Sequence, residues 1–111
     1  MNHLSVRVFR YAVPALGALF LLVTPLHAQD APMLYKSKCA TCHGADGKGN
    51  TAVGKQLGVR DFASPEVQKE TDEELIAITT KGQGKMPAFG SSLKDPQIKD
   101  LVAYIRTLAK K

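Results

Sequence analysis

A chain of 111 residues with two cysteines, no tryptophan and a formal net charge of +5 has room for one domain and excludes a scaffold built on several disulfides. Setting aside the first 28 residues leaves thirteen basic and ten acidic side chains, too even a balance to imply a nucleic-acid partner, and none is expected. The remaining 83 residues bury only a marginal core, a size at which a covalent or metal staple is usual.

Residues 1–28 read as a secretory leader and residues 29–111 as the domain. Arg7 and Arg10 precede a stretch free of charge until Asp30, densely apolar from Ala15 to Val23, with a small-residue cut after Ala28. Pro14 and Pro25 bracket the run, which is short for the roughly 20 residues of a membrane-spanning helix. Export to the periplasm or an equivalent compartment is expected. Leu26 is larger than the cleavage motif prefers, so the alternative is an uncleaved leader that anchors the chain to the membrane, facing outward.

The first helix is expected from about residue 32 to 42, with Pro32 in its first turn, where a missing N–H costs nothing. Tyr35 falls one turn before Cys39 on the same face. Gly44 stops the helix, and five glycines between Gly44 and Gly58 suit a loop wrapped tightly against something. Ser64-Pro65-Glu66 reads as an N-cap followed by a short turn of helix to about Lys69. Thr71-Asp72-Glu73-Glu74 is a capping box opening a second clear helix over 72–81, stopped by Gly82. The stretch Gly82 to Gly90 is a second loop, in which Met86 is pushed out of helical geometry by Pro87. From Asp95 the apolar residues Ile98, Leu101, Val102, Ile105, Leu108 and Ala109 fall on one face of a last helix. No window alternates as a strand does. The domain is therefore all-α, with three main helices and two glycine-rich loops.

The chemistry sits in Cys39-Ala40-Thr41-Cys42-His43. A thioredoxin-like thiol pair requires a βαβ context that this chain lacks, and a structural zinc site requires four matched ligands where only Cys39, Cys42 and His43 are available. The remaining reading is attachment of one haem c, with Cys39 and Cys42 as thioether carriers and His43 as an axial iron ligand. Behind the leader His43 is the only histidine, which excludes a second imidazole from the same chain. Met33 lies on the attachment helix itself. Met86 is left as the second axial ligand. A thioether in that place raises the reduction potential and leaves no vacant position for oxygen or peroxide, so the expected protein moves one electron and is not an enzyme.

Residues 31–109 resemble the class I monohaem cytochromes c at three separated places: Cys39 to Gly44, Gly84 to Phe89, and Asp100 to Arg106. The resemblance implies that the first and last helices cross near the haem edge, with Tyr35 packed against Tyr104. Ala31 stands where that family often has glycine. Tyr35, Phe62, Phe89 and Arg60 are candidate haem contacts, Arg60 through a bidentate bond to a propionate. Lys36, Lys38, Lys48, Lys81 and Lys85 flank the ligand segments. They are either a solubilising surface or a positive rim that steers an acidic redox partner. The function expected is that of an exported, monomeric carrier between a redox donor and acceptor. The alternatives are a permanent haem subunit of a dehydrogenase or terminal oxidase, and a haem enzyme with an open iron.

Overall fold

The computed structural model describes Gly17 and residues 30–111. The leader expected over residues 1–28 lies, Gly17 apart, outside the described residues. These contain six helices: α1 Ala31–Lys38, α2 Ala40–His43, α3 Ala52–Leu57, α4 Pro65–Lys69, α5 Asp72–Lys81 and α6 Asp95–Leu108. The all-α expectation holds, the only pairing of extended backbone among the described residues being an isolated bridge between Gln83 and Met86. None of these helices is long and apolar enough to cross a membrane.

The core forms where α1 and α5 pack on α6. Ile98, Leu101 and Val102 supply the buried stripe of α6, and Tyr35 comes down from α1. Tyr35 meets Tyr104 edge to face with ring centroids 5.4 Å apart, the crossing that the family resemblance implied. Ala31 is buried in the first turn of α1, so its methyl group is accommodated where the family often has glycine. α5 carries the expected capping box: Thr71 Oγ1 accepts from the Glu74 N–H, and Glu74 Oε2 accepts from the Thr71 N–H at 2.7 Å. At α6 the Gln97 side chain accepts from the Lys94 N–H at 2.9 Å, and Pro96 occupies the first turn.

Three local expectations need correction. The single helix over 32–42 is two, because Cys39 departs to φ −120° and the N–H groups of Cys42 and His43 both turn back to its carbonyl. No glycine or proline marks this break. It coincides with tertiary bonds that fix where α2 ends: Tyr35 Oη donates to the Gly44 carbonyl at 2.6 Å and Thr51 Oγ1 to that of Cys42 at 2.9 Å. Second, the loop over 44–58 contains α3, capped by Thr51, whose hydroxyl accepts from the Gly54 N–H at 2.8 Å. Third, Ser64 stands at the N-cap of α4 without a side-chain cap bond, and its buried Oγ has no partner.

Candidate functional site

A cavity of about 390 Å³ opens between the attachment segment and the loop after α5. Cys39, Cys42 and His43 line one side, and Met86 lines it from a segment more than forty residues further along the chain. Phe62, Phe89, Leu101 and Ile105 give it apolar walls.

Each functional side chain is placed by identifiable local chemistry. α2 is a single turn, and three-residue spacing brings Cys39 and Cys42 to the same side of it. Three successive carbonyls at its end are claimed: Cys42 by Thr51, His43 by the Gly49 N–H at 2.8 Å, and that of the following Gly44 by Tyr35. Gly54 allows this closeness. A Cβ there would run into the carbonyl oxygen of Cys42 and stand 2.5 Å from that of Gly49, so α3 approaches α2 only because this residue has no side chain. On the far side the Met86 N–H and carbonyl exchange bonds with Gln83, at 2.9 and 3.1 Å. The Phe89 and Gly90 N–H groups are tied back to the carbonyls of Thr79 and Thr80 at the end of α5. Gly82 makes the turn possible: its φ is +77°, and a Cβ there would stand 2.7 Å from the Met86 carbonyl oxygen.

The electrostatics of the site match a group bound through neutral donors. Burial, and after it the charge of Arg60, lowers the His43 pKa, which keeps the imidazole in the neutral form that ligates metals. Its buried Nδ1 has no hydrogen-bond partner, while Phe62 stacks on the ring at a centroid distance of 4.7 Å. Burial raises the Cys39 thiol to about 11 against the opposing pull of Lys38, the reverse of the lowered pKa of a redox-active Cys-x-x-Cys thiol. Among the described residues no group of three or more His, Cys, Asp or Glu is arranged to hold a bare metal ion. Two free thiols, a neutral imidazole and a thioether around an apolar cavity fit haem c, a large apolar ring with an iron at its centre.

The other candidate contacts divide. Phe62 and Phe89 both line the cavity. Tyr35 does not line it: the ring stands behind Phe62, centroids 6.3 Å apart, and its hydroxyl is spent on Gly44. Arg60 lines the cavity, but its guanidinium is held by Glu70 in a two-point pair, at 3.0 and 3.3 Å. Sequence reasoning missed Glu70, Thr51 and Thr79. Thr79 lines the cavity and is buried, with its hydroxyl donated to the Leu75 carbonyl at 2.9 Å. For Thr51 the available signal was its place three residues before Gly54, in the manner of an N-cap.

A family model described as cytochrome c oxidase, cbb3-type, subunit III matches residues 27–105. The cytochrome c6 of Picosynechococcus sp. is 31% identical over 109 residues, covering 89% of this chain and 91% of that protein. The chain belongs to the class I c-type cytochromes. A solved c-type cytochrome, KustC0563, is 38% identical, with a TM-score of 0.66 over 71% of this chain and 96% of its own. The cbb3-type oxidase subunit CcoP of Azospirillum brasilense is 32% identical over 83 residues, but this cytochrome spans only 28% of its length. As a member of this family the cytochrome carries covalently attached haem c, exchanges electrons with redox proteins, and is not an enzyme.

Proposed function

We propose that this cytochrome is an exported one-electron shuttle in which Cys39 and Cys42 hold the haem covalently and His43 and Met86 are its axial ligands. The observation that carries the reading is that these four side chains, from two separate segments, line one apolar cavity. When bound, the haem supplies a one-electron iron couple, with a potential raised by the thioether ligand. The protein's residues do the rest: His43 presents a neutral imidazole, the Gln83–Met86 bridge presents the sulfur, and Phe62, Phe89, Leu101 and Ile105 keep water from the ring. The sequence of residues 1–28 supports export by a leader cut after Ala28.

A visible spectrum of the exported protein tests the ligands. A long-wavelength iron–sulfur band in the oxidised form, lost in Met86→Ala, is expected, together with slow CO binding by the reduced form. Rapid CO binding by the unsubstituted protein would exclude Met86 from the iron and favour a haem with an open site.

Lys38 and Lys85 line the cavity and are exposed, which supports a positive rim that an acidic donor or acceptor recognises. Electron transfer to such a partner then slows as ionic strength rises, and a rate independent of salt would remove the rim from the account. The likeness to CcoP supports a second reading, a subunit held permanently in an oxidase complex. Co-purification with an oxidase at high salt would select it, and recovery as a free monomer selects the shuttle.

A further inference from the structure

Arg60 lines the same cavity as Cys39, Cys42 and His43, so its charge stands in the wall of that space. The same guanidinium pairs with Glu70, which does not line the cavity, Nη1 to Oε1 at 3.0 Å and Nη2 to Oε2 at 3.3 Å. Glu70 is not a loosely placed partner. Its backbone carbonyl accepts from Arg106 Nη2 at 2.5 Å, and Arg106 Nε in turn bonds Asp72 Oδ1 at 2.9 Å. The junction between α4 and α5 is thus fixed to α6, and it presents the Glu70 carboxylate at a set place beside the cavity wall. The Glu70 side chain is 23% exposed and that of Arg60 44%, so their fields are damped by water but not abolished.

Reduction removes one positive charge from the iron. A cation in the wall therefore favours the reduced form and raises the potential, and an anion beside it offsets that rise. We infer that Arg60 and Glu70 are a paired electrostatic tuner of the iron, the arginine lifting its reduction potential and the glutamate limiting the lift. Neither residue touches the iron, and both act through charge. The inference rests on the proposed function, because a haem held in this cavity by Cys39, Cys42 and His43 would lie against the wall that Arg60 lines.

Potentiometry on the holoprotein tests it with a set of four variants. Arg60→Gln leaves Glu70 uncompensated and lowers the midpoint potential, whereas Glu70→Gln leaves Arg60 uncompensated and raises it. Each shift is about threefold in the reduction equilibrium, which is about 28 mV at about 59 mV per tenfold for one electron. The double variant returns toward the unsubstituted value. Arg60→Lys, which keeps the charge but loses the planar fork, stays closer to the unsubstituted protein than Arg60→Gln does. A residue with a purely structural role would shift both single variants the same way. Shifts of one sign, or none in Glu70→Gln, would overturn the tuner, the second because it means Arg60 has left Glu70 for another anion in the loaded protein. The iron–sulfur band and CO binding of the unsubstituted protein report on the ligands independently. Failure of the ligand assignment therefore appears in that spectrum, and failure of the tuner only in the potentials.

Discussion

The two sides of the cavity are built to different standards. On the His43 side Gly44, Gly47 and Gly49 are buried, and side chains from α1 and from the cap of α3 reach in to claim the carbonyls at the end of α2. On the Met86 side Gln83, Gly84, Lys85, Pro87 and Ala88 are all exposed and Met86 is half-buried. The bonds between this turn and its surroundings run from backbone to backbone, within the Gln83–Met86 bridge and from Phe89 and Gly90 to α5. Segments with exposed backbone bonds and few buried contacts open at a lower free energy than the molecule as a whole. The imidazole is thus presented by the folded core, and the sulfur by a turn able to open while the core stays intact.

Substitution at two glycines separates these behaviours. Gly54→Ala places a methyl group against backbone oxygens of Cys42 and Gly49, neither of which can move without breaking α2 or its loop. The cost is about 3 kcal/mol, and it falls on global stability, read as a lower urea midpoint for loss of helical circular dichroism. Gly82→Ala meets the carbonyl oxygen of Met86 and the nitrogen of Ala88, in a backbone with φ +77°. Its cost, about 2 kcal/mol, is confined to the sulfur turn. The iron–sulfur band is then lost at a urea concentration well below the helical transition. Coincidence of the two transitions in Gly82→Ala would mean that the walls are one cooperative unit.

How far the sequence carries this picture depends on whether the cause is local. α5 and α6 are legible because Thr71 and Glu74 form a capping box within four residues and because Ile98, Leu101, Val102 and Ile105 recur on one face. The proposal that pairs Cys39, Cys42 and His43 with Met86 rests on chemistry and elimination, which need no geometry, and all four line one cavity. α3 is hidden because two of its six residues, Val53 and Gly54, lower helix propensity. The reason for Gly54 is a carbonyl on Cys42, twelve positions earlier. The break at Cys39 is hidden for the same cause, since it accompanies bonds made by Tyr35 and Thr51. Glu70 reads in the sequence as one more solvated glutamate. Its significance comes from Arg60 and Arg106, which only the fold brings to it.

Tyr35→Phe probes the His43 side more gently. It removes a buried hydroxyl donated to the Gly44 carbonyl at 2.6 Å, leaves that carbonyl short of a donor, and costs about 1–2 kcal/mol. The same hydroxyl has a pH signature. Its pKa is raised, chiefly by burial, above the value near 10 of a tyrosine in the unfolded chain. The neutral form is therefore favoured by folding. Its contribution is complete below about pH 10 and is lost as pH rises from there toward the folded value, by up to about 1.4 kcal/mol per pH unit. The stability advantage of the unsubstituted protein over Tyr35→Phe accordingly shrinks above about pH 10 in urea titrations. An advantage constant to higher pH would mean that Tyr35 ionises alike in both states.

The smallest of these effects tests where the weaker wall begins. Thr71→Ala removes the hydroxyl that accepts from the Glu74 N–H at 3.2 Å, at a cost of about 1 kcal/mol, and Thr71→Ser restores most of it. The cap lies at the start of α5, whereas the sulfur turn hangs from its end, and between them Leu75 and Thr79 are buried. If the turn opens without unwinding α5, the cap is intact in the opened form and its loss shows only in the global transition. The gap in urea between loss of the iron–sulfur band and loss of helix then narrows in Thr71→Ala, opposite in direction to the widening in Gly82→Ala. Equal displacement of both transitions would place the boundary of the weaker wall at Thr71 instead, with the whole of α5 opening together with Met86.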